Sequence, residues 1–175
     1  GTMARNETDF KGSLYVLDEQ GEVSERLSEI CISNGLCWQG DIFYYIDSAR
    51  QAIEAFDVCP QSLELSNRRT VYKIPEEDVY PDGMCIDANG HLWVALWSGH
   101  GVICIDPASG KVIQKLSIPC RKATSCCFGG EDLDELYVTT DQRGEDLDIY
   151  PLSGHVFKFK PGVKGLPGDA YISRR

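Results

Sequence analysis

The sequence has few basic side chains for its number of acidic ones. Its 175 residues include 17 lysines and arginines against 27 aspartates and glutamates, which gives a net charge of −10 and a pI near 4.7. Nucleic-acid affinity requires a basic surface that neutralises phosphates, so this balance argues against a nucleic-acid partner. No apolar run approaches the roughly 20 residues that span a bilayer, and no charged-then-apolar leader opens the chain. We therefore expect a soluble, cytoplasmic protein with no membrane partner.

Several motifs of common catalytic and metal sites are also missing. The chain has no Cys-x-x-Cys pair, no Gly-x-Ser-x-Gly elbow and no His-Glu-x-x-His segment, which argues against a redox dithiol motif, a serine hydrolase and a zinc protease. His91, His100 and His155 are predicted to be surface residues. The acidic stretches 131–135 and 145–148 lack the alternating ligands and central glycine of an EF-hand loop, so we predict solvated turns there.

The eight cysteines are not arranged like a secreted disulfide framework. Cys37, Cys85, Cys104 and Cys127 lie within apolar runs, and we predict that they are reduced core residues, because a free cysteine packs as a small hydrophobe. Cys126 and Cys127 are adjacent, so a strand would direct their side chains to opposite faces. A metal-binding pair at this point is disfavoured.

No segment sustains the apolar period of a helix over three turns, whereas short β-rich runs recur along the whole chain. Each run is bounded by turn residues, as at 87–90 and 106–110. The fold class is therefore predicted to be all-β, with strands in the runs 13–17, 42–46, 52–56, 70–74, 92–96, 102–105, 136–139 and 156–159.

An internal repeat makes the prediction more specific. The segments that start at Asn34 and Asp82 share a polar residue, a glycine and then apolar residues, and their starts are 48 residues apart; a weaker third copy starts at Ser125. A period of about 40 to 50 residues with four strands each is typical of β-propeller blades. A β-sandwich is the alternative for evenly spaced strands, although sandwiches do not usually repeat such a segment.

Blade counting predicts an incomplete ring. Two units look complete, from about Ser33 to Tyr80 and from Pro81 to Lys122, and the strands before and after them supply two partial units. Residues 1–175 are thus predicted to form one domain, a partial propeller of about four blades. We expect the chain to be part of a longer protein, because the first residue is not methionine and an unclosed arc leaves strand edges exposed.

Equivalent repeat positions converge on the axis of a propeller, so Asn34 and Asp82 are expected to lie close together. A carbonyl oxygen and a carboxylate suit a hard cation such as Ca²⁺ or Mg²⁺. Asparagine and aspartate before glycine are also common turn formers. Both interpretations remain open from spacing alone.

Longer motifs in the same order resemble the gluconolactonase family, which includes the animal senescence marker proteins. The resemblance extends from Gly1-Thr2-Met3-Ala4 to Gly162-Val163-Lys164-Gly165. Its motifs are segments 32–36, 43–48, 55–57, 66–69, 81–87, 92–95 and 124–130.

The resemblance implies a six-bladed propeller that hydrolyses sugar lactones such as D-glucono-1,5-lactone with one divalent cation. The family's asparagine and aspartate ligands correspond to Asn34 and Asp82, and Asp82 also corresponds to the base that activates water. Such a cation is expected to be Ca²⁺ or Zn²⁺, with Mg²⁺ or Mn²⁺ as further options. Glu7 is the nearest equivalent of an acidic residue that contacts substrate.

The chain departs from the family pattern in ways that leave other functions open. The family's third ligand, a glutamate, and its Arg-x-Asn-Asp-Gly substrate segment are expected upstream of Gly1. Cys37 replaces an aspartate of the family and repeats Cys85, so it is predicted to be a core residue. The alternatives to a lactonase are a non-catalytic calcium-binding regulatory protein and an inactive fragment, and the oligomeric state is not predicted.

Overall fold

The computed structural model describes residues 1–168 and 170, and these residues form an all-β structure with one short 3-10 turn at Ser48–Arg50. None of the helical residues within this range builds a helix long and apolar enough to cross a membrane. The strands are β1 (Gly12–Leu17), β2 (Val23–Ile30), β3 (Ser33–Gln39), β4 (Ile42–Asp47), β5 (Ala52–Val58), β6 (Leu65–Lys73), β7 (Tyr80–Ile86), β8 (Leu92–Trp97), β9 (Gly101–Asp106), β10 (Lys111–Ser117), β11 (Ala123–Gly129), β12 (Glu135–Thr140) and β13 (Val156–Phe159).

The strands form successive antiparallel sheets in chain order. The first sheet is β1–β2, the second β3–β4–β5–β6, the third β7–β8–β9–β10 and the fourth β11–β12–β13. The all-β prediction is confirmed, and the two units predicted to be complete are the two four-stranded sheets. Tyr80 was assigned to the end of the first unit but begins β7.

Strand β8 shows why the central strands are so apolar. Leu92, Val94 and Leu96 belong to the core between the second and third sheets. Trp93 and Ala95 point the opposite way, into the core between the third and fourth sheets. Because side chains alternate along a strand, a strand with both faces buried has a continuous hydrophobic sequence.

A third core lies between the first and second sheets, where Leu14 and Ile30 pack with Phe43, Tyr45 and Phe56. Each pair of consecutive sheets therefore shares its own core. A β-sandwich has two sheets around one core, so this succession of sheets and cores is not a sandwich. It is the arrangement of propeller blades, in which each sheet packs face to face with the next.

The turn between β7 and β8 is fixed by one buried carboxylate. Asp87 Oδ1 accepts hydrogen bonds from the backbone N–H groups of Asn89 and His91 at 2.9 and 3.0 Å. Its Oδ2 accepts a hydrogen bond from Trp93 Nε1 at 3.0 Å. Gly90 takes a φ of +83°, a conformation that favours glycine. The predicted turn at 87–90 is confirmed, and it sets the register of β8.

The cysteine prediction is correct in part. All eight thiols are free, and Cys37 and Cys104 are buried. Cys85 is only half-buried, and Cys127 is exposed, so its assignment to the core was wrong. The alternation of strand β11 explains the error: Cys126 takes the buried face, and Cys127 therefore faces outward.

Candidate active site

The two repeated polar residues lie inside strands and not in turns. Asn34 is on β3 and Asp82 is on β7, the first strands of the two four-stranded sheets. In each case the regular pairing is interrupted, between Ser33 and Leu36 and between Pro81 and Met84. The interpretation of both residues as turn formers was therefore wrong. They occupy equivalent bulges, which re-aim side chains away from the regular ladder.

The glycines of the repeat allow neighbouring first strands to touch. A Cβ atom on Gly35 would lie 2.7 Å from the backbone oxygen of Asp82, and one on Gly83 would lie 2.6 Å from the Cβ of Ser125. Both distances are shorter than carbon side chains tolerate. The polar-glycine repeat thus arises because β3 approaches β7 and β7 approaches β11. This contact brings Asn34 close to Asp82.

One cavity of about 330 Å³ is lined by all three residues predicted as site residues, Glu7, Asn34 and Asp82. They come from three separated segments of the chain. The remaining lining residues are Met3, Ile32, Ser48, Tyr80, Trp97 and Arg143. Ser48, Trp97 and Arg143 were not predicted, because none of them belongs to the repeated segment.

A short hydrogen-bond chain orients Asn34. Its amide Nδ2 donates to the hydroxyl of Ser48 at 3.0 Å, and that hydroxyl donates to the backbone oxygen of Pro81 at 2.6 Å. Ser48 follows directly after β4, where its backbone N–H donates to the oxygen of Ile32. Because Ser48 engages the amide nitrogen, the carbonyl oxygen is the atom with which Asn34 can serve a cation.

The carboxyl group of Asp82 lies in an environment that opposes its charge. Burial raises the pKa of Asp82 from 3.8 to about 6, although hydrogen bonding from the Asn34 side chain and the Gly83 backbone acts in the opposite direction. The negative charge of Asp141 contributes to raising this pKa. Arg143 lines the same cavity, but its guanidinium pairs with Asp141 at 2.7 Å. Asp82 is therefore a partly buried carboxylate without a cationic partner.

Glu7 lies at the exposed mouth of the cavity in a tight turn. Its backbone N–H donates to Ala4 at 3.0 Å, and its backbone oxygen accepts a contact from the thiol of Cys31 at 3.5 Å. Its φ of +56° is uncommon for a residue other than glycine. Glu7 is exposed and lines the cavity from this turn.

Arg143 reaches the cavity from a turn after β12 that a buried ion pair secures. The ammonium of Lys122 lies 2.8 Å from Glu145 Oε1, and the Glu145 side chain is only 2% exposed. Lys122 also donates to the backbone oxygen of Arg143 and stacks over the Trp97 ring at 4.8 Å. The prediction that stretch 145–148 is a solvated turn is therefore wrong for Glu145, because Lys122 draws its carboxylate inward.

A second group of possible metal ligands lies elsewhere. Asp87, His91 and Cys104 place one ligand atom each within 4.8 Å of one another, and within residues 1–168 and 170 no other such group of three His, Cys, Asp or Glu residues occurs. The Asp87 oxygens already accept three hydrogen bonds, and burial raises the pKa of Cys104 to about 12. The prediction of surface histidines is correct for His100 and His155, which are exposed, and in part for His91, which is half-buried beside Asp87. The contacts of this cluster stabilise the turn between β7 and β8.

Comparison with known proteins agrees with the fold. The chain is 45% identical to regucalcin from Oryctolagus cuniculus over an alignment of 182 positions, gaps included, which covers 98% of this chain and 61% of that protein. It superimposes on a luciferin-regenerating enzyme with a TM-score of 0.85 and 35% identity, over 95% of this chain and 58% of the other. A structure from Agrobacterium tumefaciens described as a calcium-binding protein, regucalcin, gives a TM-score of 0.89 at 24% identity, over 97% and 59%.

The succession of sheets defines a β-propeller protein. Its cavity beside the first strands offers polar groups of Asn34, Ser48 and Asp82 among apolar neighbours. Residues 1–142 match the sequence profile described as the SMP-30/Gluconolactonase/LRE-like region. The chain belongs to this family, as its motifs predicted. It spans about three fifths of the length of the curated relatives that it matches.

Proposed function

We propose that this protein hydrolyses sugar lactones such as D-glucono-1,5-lactone with the help of one divalent cation. The observation that carries the proposal is the single cavity that Glu7, Asn34 and Asp82 line together. Family membership supports the reaction class, because the matching profile is that of gluconolactonase-like proteins.

The residues present fit a hard cation. Asp82 offers a partly buried carboxylate without a cationic partner, and Asn34 offers a carbonyl oxygen beside it. Oxygen ligands of this kind suit Ca²⁺, Mg²⁺ and Mn²⁺, and Zn²⁺ also accepts carboxylate oxygen. Asn34 and Asp82 would hold the cation, and Ser48 would keep the amide of Asn34 in place.

Ring opening of a lactone needs an activated water molecule and a polarised carbonyl group. A bound divalent cation would polarise the carbonyl and lower the pKa of water. Asp82 receives the proton that the attacking water loses, at a carboxylate oxygen. Glu7, at the mouth, accepts hydrogen bonds from the sugar hydroxyls and so orients the ring. The ester C–O bond breaks, and the product is the open hydroxy acid.

The proposal extends to the arrangement of the whole chain. Residues 1–175 form one domain, in which the four sheets are four consecutive blades of a six-bladed propeller. The positions of the three cores between consecutive sheets support this arrangement. A cytoplasmic location is proposed because all eight cysteines are free thiols.

The test is proton release from D-glucono-1,5-lactone by the full chain with saturating Ca²⁺ or Zn²⁺ and, separately, with a chelator. Turnover is expected only with the cation, and Asp82→Ala should abolish it. Asp41→Asn is the matched control, because Asp41 is an exposed turn aspartate outside the cavity. The chain could bind the cation and yet hydrolyse the lactone no faster than the chelated sample does. That result would favour the non-catalytic cation-binding alternative over the lactonase.

A further inference from the structure

Two cysteine thiols from neighbouring sheets are in contact. Cys85 is on β7 in the third sheet and Cys126 is on β11 in the fourth, and their Sγ atoms are 3.8 Å apart. The two strands approach closely just before this point, since a Cβ on Gly83 would lie 2.7 Å from the Cα of Ser125. The distance between the sulfurs therefore follows from the packing of the sheets.

The two thiols differ in access to solvent. Cys126 is 4% exposed, and its thiol donates to the backbone oxygen of Trp93 at 3.2 Å, which fixes its position. Cys85 is half-buried and lines a cavity of about 630 Å³, which a small oxidant can enter. The Cys85 sulfur can thus react with a reagent from solvent, whereas the Cys126 sulfur is shielded from solvent.

We propose that Cys85 and Cys126 are a site of reversible oxidation, at which a hydroperoxide converts the two thiols into a disulfide within the chain. The proposal rests on the sulfur contact between the two sheets and on the cavity beside Cys85. It does not depend on the lactonase function.

The chemistry takes two steps that balance. Cys85 attacks hydrogen peroxide, the O–O bond breaks, one molecule of water leaves and Cys85 becomes a sulfenic acid. Cys126 then attacks the Cys85 sulfur, the S–O bond breaks, the S–S bond forms and a second water leaves. In total, two thiols lose two electrons and two protons, and one peroxide is reduced to two waters. The contact with Cys85, together with burial, raises the pKa of the Cys126 thiol, so Cys126 stays protonated and is not the sulfur that attacks peroxide first.

The disulfide would join the first strands of two consecutive sheets. It would close a loop of about 40 residues and restrict the unfolded chain, which raises the temperature of unfolding by about 5 to 10 °C. A thiol reductant would reverse the change. Cysteine pairs of this kind in cytosolic proteins are usually transient and redox-sensing.

The experiment treats the full chain with hydrogen peroxide, blocks the remaining thiols by alkylation and maps tryptic peptides by mass spectrometry. The expected product is peptide 74–111, with Cys85, joined to peptide 123–143, with Cys126, at a mass about 2 Da below that of the two reduced peptides. Because Cys104 and Cys127 lie in the same two peptides, variants must identify the sulfurs. Cys85→Ser and Cys126→Ser should abolish the joined peptide, whereas Cys127→Ser and Cys104→Ser should retain it.

Thermal unfolding of the oxidised chain supplies an independent readout. The rise in unfolding temperature should occur in the wild type and in Cys127→Ser, should be absent in Cys126→Ser and should disappear after reduction. A joined peptide that persists in Cys126→Ser but not in Cys127→Ser would overturn the assignment. Oxidation that gives only disulfide-linked dimers through exposed Cys127 or Cys59 would overturn it as well.

Discussion

At the scale of one residue, the buried charge of Asp82 lowers the free energy of unfolding. Its carboxylate is desolvated beside Asn34, and its pKa is raised from 3.8 to about 6. Between these two pH values the native state binds more protons than the unfolded state. The free energy of unfolding therefore falls as the pH rises through this window, and the cost is fully present above the native pKa.

Asp82→Asn should stabilise the chain at pH 7 in the presence of a chelator, because the amide keeps the shape of the side chain and removes its charge. Partial exposure to solvent reduces the effect, so we expect on the order of 1 to 2 kcal/mol. Urea unfolding at pH 7 and at pH 3.5 measures it, and the gain should vanish at the lower pH. Equal gains at both pH values would show that charge is not the cause.

Gly83 lies where β7 meets β11, and it has no room for a side chain. Gly83→Ala would place a Cβ 2.3 Å from the hydroxyl oxygen of Ser125 and 2.7 Å from its Cα. We expect a loss of about 1 to 3 kcal/mol in the free energy of unfolding, as for other overpacked interiors. Gly168→Ala is the control, since nothing lies within 4 Å of its added Cβ. A Gly83→Ala chain as stable as the control would contradict this close approach.

Sequence could predict single residues only where they repeat or match a motif. Asn34 and Asp82 were found because they start equivalent segments, and Glu7 because it follows a family motif. Ser48 and Arg143 line the same cavity, but neither belongs to the repeated segment. Their positions depend on contacts far along the chain, such as the bond from Lys122 to the backbone oxygen of Arg143.

At the scale of one element, the β7–β8 hairpin depends on Asp87. Asp87→Ala would remove the acceptor for two backbone N–H groups and leave the buried Trp93 indole N–H without its partner. We expect a loss of about 3 kcal/mol or more. Asp106→Ala is a matched control, because Asp106 accepts similar turn hydrogen bonds from Ala108 and Ser109 where solvent can replace them. Its loss should stay below about 1 kcal/mol, and equal losses in thermal or urea unfolding would refute the role of Trp93 burial.

Sequence predicted the strands buried on both faces, and it also predicted the bounds of the outer strand β13. Strand β8 is continuously apolar because its two faces pack into two different cores. Strands β2 and β10 escaped prediction as β-rich runs, since their largely exposed positions carry polar and charged residues. An outer strand with few buried positions has a weak hydrophobic pattern, and its pairing partner defines it instead.

At the scale of the whole molecule, the repeat predicted the order of sheets because each sheet packs on the next in the same way. The weak third copy was predicted to start at Ser125, which is one residue too late. Strand pairing is interrupted between Ala123 and Ser125, so Thr124 occupies the position equivalent to Asn34 and Asp82. The spacing of the repeats could not predict the whole lining of the cavity. It joins Glu7 in the N-terminal turn to Arg143 near the end of the described chain.

The central claim is that the cavity of Asn34 and Asp82 binds the cation, and calorimetric titration of the full chain with Ca²⁺ and Zn²⁺ tests it most directly. Asp82→Asn should weaken binding by more than about tenfold, because cation affinity follows the charge of the ligands. His91→Gln, which disrupts the separate group of Asp87, His91 and Cys104, should leave binding unchanged. Binding that survives Asp82→Asn and is lost in His91→Gln would contradict the account and place the cation at the β7–β8 turn.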